Sequence, residues 1–166
     1  SIAKARFGEL GVAFLECPLP PEDLQSHREL WLKPGAPIAL GEHFRTLHQV
    51  IDWFAPPPAL DVFQPDIGRT GLTDGLRQLD LAEKARIDTT PHMGNGISVF
   101  LAATFHFSAI CKPTHLQELQ AGFFKKGDMV SDSGWHYSNG ALIVPDRPGL
   151  GVEIDEIKLD RYVVKH

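Results

Sequence analysis

Five ionisable residues recur along the chain at a near-constant interval: Glu16, Glu42, Asp66, His92 and Glu118 stand 26, 24, 26 and 26 residues apart. Carboxylate oxygens suit hard divalent cations, and an imidazole steered by a carboxylate is a general base near neutral pH. The clearest pair lies within 61–92, DVFQPDIGRTGLTDGLRQLDLAEKARIDTTPH. Residues 61–64 read as a buried strand ending at Pro65-Asp66, and residues 87–90 as the next strand, ending at Pro91-His92. Between them, residues 68–71 read as a turn, Thr73 as an N-cap, and residues 74–85 as a helix with Leu76, Leu79, Leu81 and Ala82 at helical spacing. A strand–helix–strand unit makes its strands parallel, and neighbouring parallel strands lie about 5 Å apart, so Asp66 and His92 at matching ends are within hydrogen-bonding reach.

The elements that must position the other members repeat this plan. The sequence predicts an opening helix over residues 3–10, then a continuously apolar strand over 11–15, buried on both faces and ending at Glu16-Cys17-Pro18. A helix opens at Pro20-Pro21-Glu22-Asp23, runs through Trp31, and is stopped by Lys33-Pro34-Gly35. The next strand, 37–41, ends at Glu42, and a helix follows from about Arg45 to Phe54, broken by Pro56-Pro57-Pro58. After His92 a glycine-rich loop leads to a long, nearly all-apolar helix over 97–110, and a short strand over 115–117 carries Glu118. Residues 123–140 read as a polar, glycine-dotted excursion, 141–144 as a strand, 145–151 as a turn-rich link and 152–166 as a tail.

Five strand–helix units in succession define an α/β fold and leave two architectures, an open doubly wound sheet or part of a (β/α)8 barrel. In a barrel all the strand ends meet at one mouth, whereas in an open sheet they are strung along an edge. The regular spacing favours a barrel with about five of its eight units present, followed by a C-terminal tail. This divides the chain into a partial barrel over 1–122 and a C-terminal extension over 123–166.

Composition narrows the classes of partner. With 43% hydrophobic and 22% charged residues, a net charge of −5 and a pI near 5.9, nucleic acid and anionic membrane are disfavoured as main partners. Apolar runs fall short of the roughly 18 residues of a membrane span, and the N-terminus lacks a signal-peptide layout. Cys17 and Cys111 form no CxxC pattern and read as reduced thiols of a cytoplasmic protein. The chain opens without Met, inside a helix, and reads as a piece of something longer.

The segments 15–23 (LECPLPPED), 37–42 (PIALGE), 64–73 (QPDIGRTGLT), Pro91-His92 and 148–151 (PGLG) resemble, in order and spacing, the C-terminal barrel of the enolase superfamily, in particular the mandelate racemase subgroup and its sugar-acid dehydratases. The resemblance implies Mg²⁺ as cofactor, with Glu16 and Glu42 as two of its carboxylate ligands. It implies Asp66 and His92 as the acid–base dyad, and Glu118 as the group that hydrogen-bonds the substrate carboxylate. It further implies a small carboxylate substrate and a homo-oligomer. The first metal ligand, a further acid/base group and a capping domain would then lie upstream of Ser1. Dehydration of an aldonic or aldaric acid to a 2-keto-3-deoxy acid is the leading reading. Racemisation, epimerisation or cycloisomerisation on the same site, or an incomplete piece that needs its upstream portion, are the alternatives.

Each residue also has a structural reading. A carboxylate at a strand end is commonly a loop residue or a helix cap, and Asp66 in particular could cap the turn before Arg69. His43 and Arg45 are candidate substrate contacts, although strand alternation turns His43 away unless the chain bends there. Arg69 holds either a substrate carboxylate or a neighbouring acid. The remaining histidines, His27, His48, His106, His115, His136 and His166, read as surface or packing residues.

Overall fold

The computed structural model describes residues 2–112 and 116–164. Helix α1 (Ile2–Glu9) precedes four strand–helix units: β1 (Leu15–Glu16) with α2 (Leu24–Trp31), β2 (Ile38–Leu40) with α3 (Leu47–Phe54), β3 (Val62–Phe63) with α4 (Ile67–Ala85), and β4 (Asp88–Thr89) with α5 (Val99–Ser108). All four strands are parallel and lie in chain order, β1-β2-β3-β4. Sequential order without a reversal is the arrangement of a barrel wall, and a doubly wound sheet would change direction at a switch point. This is an α/β partial barrel.

The strands are only two or three residues long, yet the pairing reaches further. Gln64 N–H donates to Leu40 C=O at 3.0 Å, and Thr90 N–H to Phe63 C=O at 2.9 Å. A separate parallel bridge joins Asp66 to His92. Behind the sheet, α3 and α4 close over Ile38, Leu40, Val50, Phe54, Leu60, Phe63 and Ala82 as one core. Burial of this apolar set, at about 25 cal/mol per Å², is what holds such short strands in register.

The structure departs from the sequence reading in four places. Residues 11–15 are not buried on both faces: only Leu15 is in a strand, and Gly11, Val12 and Ala13 are exposed, the paired part of β1 being confined to Leu15–Glu16 beside β2. The turn at 68–71 is a helical turn, capped by Asp66 rather than Thr73, and joined to the rest of α4 across Gly71, whose φ of 75° breaks the helix. Of the expected strand at 115–117, His115 lies outside the described residues, and Leu116–Gln120 join no ladder. They are held beside Pro91–Met93 by side chains, with Gln117 Nε2 donating to Pro91 C=O (3.3 Å) and Gln120 Nε2 to Met93 C=O (3.0 Å).

The fourth departure is the excursion at 123–140, which contains regular structure. Helix α6 (Ala121–Asp128) sets Phe124 against Phe105 and Tyr137. Strand β5 (Ser131–Asp132) follows, and β6 (His136–Ser138) and β7 (Ala141–Ile143) form a hairpin. Asn139 and Gly140 both have positive φ at its tip, the Asn-Gly signature of a two-residue hairpin turn. Within the tail, β8 (Glu153–Ile154) pairs antiparallel with β5 and leads to α7 (Glu156–Asp160). Trp135, Leu142 and Val152 pack with α5 in a second core. Among the described residues no helix is long and apolar enough to cross a membrane.

Candidate active site

The parallel register carries the ends of β1 to β4 to one edge of the sheet, and the ionisable residues gather there. His92 is the hub. Its Nδ1 lies 2.9 Å from Asp66 Oδ2, and its Nε2 lies 3.1 Å from Glu42 Oε2 and 3.9 Å from Glu118 Oε2. Single ligand atoms of Glu16, Glu42 and His92 all fall within 4.8 Å of one another. The structure therefore brings Glu16, Glu42, Asp66, His92 and Glu118 into one cluster.

Asp66 does two things at once. Its Oδ1 accepts from Arg69 N–H at 3.2 Å and caps α4, while Oδ2 holds the imidazole. The carboxylate is 3% exposed, so both bonds sit away from competing water. Glu118 is anchored differently, because Oε2 accepts from Met93 N–H at 2.9 Å although its own segment lacks strand pairing. Glu42 owes its position to Gly41, which sits at φ 147°; a Cβ there would lie 2.7 Å from the Phe63 ring.

Of the three proposed substrate contacts, one joins the cluster closely. The chain turns at Glu42-His43, so His43 is not carried to the opposite face, and its Nε2 lies 3.2 Å from Glu42 Oε1. Arg69 Nε stands 3.8 Å from Asp66 Oδ2, which is the ion-pair reading. Arg45 is exposed, and its backbone N–H donates to Gln49 Oε1 at the start of α3. Among the histidines read as packing residues, His27 is fully buried edge-on to Trp53, and His106 packs edge-on to Trp135. His115 and His166 lie outside the described residues.

Sequence reasoning missed Cys17. Its Sγ, a Glu42 oxygen and a His43 nitrogen lie within 4.8 Å of one another. The signal was present in its place directly after Glu16 at a strand end, but the turn that swings His43 toward it depends on the backbone at Gly41. Burial first, then the charges of Glu42 and Glu16, push the Cys17 thiol up to about 11. Neither cysteine is in a disulfide.

The electrostatics of His92 follow from its neighbours. The hydrogen bond to Asp66, with the charges of Glu42, Glu118 and Asp66, raises its pKa above the ordinary imidazole value against the opposing effect of burial. A proton on Nε2 would point at Glu42 Oε2 3.1 Å away, which accords with the raised pKa of the ring. Nε2 accepts a proton only when it does not already carry one. Glu16 and Glu42 offer an oxygen-donor pair to a hard dication, and Mg²⁺ characteristically takes one or two carboxylates and leaves its other positions to water and substrate. The donor set fits that ion.

Gly94 keeps the dyad aligned, since a Cβ at that position would lie 2.6 Å from Asp66 Oδ2. Gly94→Ala is expected to push the carboxylate off the imidazole. The His92 ring signals in an NMR pH titration should move toward lower pH, and an unchanged titration would show that the loop yields instead.

The comparisons agree with this architecture. The chain matches the family described as Enolase C-terminal domain-like over residues 2–158. It is 29% identical over 164 residues to D-gluconate dehydratase of Thermoproteus tenax, covering 97% of this chain and 32% of that protein. It is 31% identical over 150 residues to D-galactonate dehydratase of Ralstonia nicotianae, covering 86% of this chain and 39% of that protein. The crystal structure of the 3,6-anhydro-D-galactonate cycloisomerase from Zobellia galactanivorans superposes with a TM-score of 0.86 at 31% identity, covering 99% of this chain and 46% of that one. The chain belongs to the enolase superfamily and carries part of its C-terminal domain. It spans roughly a third to two-fifths of the length of these two dehydratases.

Proposed function

We propose that this chain carries the metal-binding and acid–base half of a Mg²⁺-dependent sugar-acid dehydratase. The observation that supports the reading best is His92, fixed by Asp66 at 2.9 Å and set within reach of the Glu16–Glu42 carboxylate pair. The names of the dehydratase relatives point to aldonic acids as the substrate class.

A proton α to a carboxylate is too weakly acidic for an unaided histidine, so the charge that develops must be stabilised as it forms. Mg²⁺, when bound by Glu16 and Glu42, would polarise the substrate carboxylate and lower the cost of that charge. Once Nε2 has released its proton to solvent, Asp66 holds the remaining ring proton on Nδ1 and the Nε2 lone pair is free to act as the base. His92 Nε2 then takes the α-proton, and the electron pair left on carbon passes into the enediolate. Glu118, tethered to Met93 and 3.9 Å from Nε2, would in its protonated form donate a hydrogen bond to the same substrate carboxylate. Collapse of the enediolate breaks the β-carbon–oxygen bond. The departing hydroxyl takes a proton, from His92 or from a group beyond this chain, and leaves as water. Tautomerisation of the remaining enol gives the 2-keto-3-deoxy acid.

The cycloisomerase relative supports a second reading that shares the first step, with ring opening or closure in place of water loss. Protein carrying these residues, incubated with Mg²⁺ in deuterated water and a panel of aldonic and aldaric acids, separates the two. Dehydration yields 2-keto-3-deoxy acids detectable as semicarbazones. Deuterium at the α-carbon without loss of water would overturn the dehydratase reading in favour of isomerisation.

A further inference from the structure

We propose that Cys17, Glu42 and His43 form a second cation subsite, selective for thiophilic divalent ions of the Zn²⁺ class and sharing Glu42 with the Glu16–Glu42 pair. The three ligand atoms lie within 4.8 Å of one another, and the sulfur–oxygen–nitrogen set is the kind Zn²⁺ takes rather than Mg²⁺. The two oxygens of Glu42 have different partners: Oε1 lies 3.2 Å from His43 Nε2, while Oε2 lies 3.1 Å from His92 Nε2. One carboxylate thus serves two donor sets of different softness. His43 is exposed and Cys17 half-buried, so an ion reaches the cluster from solvent and water completes a tetrahedron.

Binding converts the Cys17 thiol to a thiolate, releases its proton to solvent and changes no oxidation state. The bound ion withdraws charge from Glu42 and repels a second dication on the Glu16 side. Thiophilic metals are therefore antagonists of Mg²⁺ in this fold, acting through a ligand they share.

The test uses Cd²⁺ as the probe, because a cadmium–thiolate bond has its own ultraviolet charge-transfer band. Cd²⁺ added to this chain should produce one band that saturates at one equivalent. Cys17→Ser should abolish it, Cys111→Ser should leave it, and His43→Ala should weaken Cd²⁺ binding by about tenfold or more. Millimolar Mg²⁺ should raise the apparent Cd²⁺ dissociation constant. A band that survives Cys17→Ser, or that is indifferent to His43→Ala, overturns the subsite. Glu16→Gln separates this proposal from the dehydratase reading: it should abolish Mg²⁺ binding and leave the cadmium band in place. Loss of both signals in Glu16→Gln would show one undivided site and overturn the subsite.

Discussion

Replacing His92 with Asn is expected to slow α-proton exchange and keto-acid formation by about 10²- to 10⁴-fold, the usual contribution of a positioned general base. Asparagine keeps a polar group near Asp66 but has no nitrogen that accepts a proton at neutral pH. Mg²⁺ binding should persist or tighten, because Glu42 Oε2 loses the imidazole that now lies 3.1 Å away. Solvent deuterium incorporation and calorimetric Mg²⁺ titration on the same variant read the two quantities apart. Equal losses of exchange and Mg²⁺ affinity would mean that His92 organises the metal site, and an unchanged exchange rate would mean that another group takes the proton.

Asp66→Asn is expected to be nearly as damaging for a different reason. The carboxylate holds the ring proton on Nδ1, so Nε2 is the nitrogen that acts as the base once it is deprotonated. An amide that keeps its oxygen on Arg69 N–H must turn its NH₂ toward Nδ1, which drives the ring proton to Nε2. The base is then present in the wrong tautomer, a change that costs about 10⁴-fold in the serine-protease triad. The pH dependence follows with a definite sign. In the metal-free chain the folded-state pKa of His92 is raised. The associated stabilisation is therefore fully present below the ordinary imidazole value and is lost as pH rises through the raised one. Asp66→Asn should move the His92 titration to lower pH and flatten this part of the stability profile, as followed by imidazole NMR signals and urea midpoints. Added Mg²⁺ should also move the wild-type titration to lower pH, since it competes for Glu42. A titration insensitive to both would remove Asp66 as the group that sets the base.

The site residues were legible because each strand announces its own end. Apolar strand residues give way to an ionisable residue, usually next to a proline or glycine, and a helix starts soon after. That pattern names Glu16, Glu42, Asp66 and His92 without coordinates. It does not say which way the chain bends beyond the last paired residue. His43 joins the cluster only because Gly41 adopts a φ no side chain would accept against Phe63. The Cys17 contact likewise depends on the β1–β2 register.

The misread elements have equally local causes. The 11–15 run carries the composition of a buried strand, but composition cannot reveal that pairing begins only at Leu15. The alternative roles given to Asp66, cap or catalytic partner, exclude each other only if a carboxylate has one oxygen; the structure uses both. The Asn139-Gly140 hairpin carried a strong sequence signal that the polar surroundings masked. Helix α6 gains its support from Phe124 against Phe105, a contact between residues far apart in the chain.

The double duty of Asp66 ties chemistry to a mechanical element. Because the same side chain starts α4 and steers the ring, fraying of that first helical turn and loss of a usable base are one event. Heat or denaturant would therefore silence the dyad by a local opening, ahead of any collapse of the core behind it.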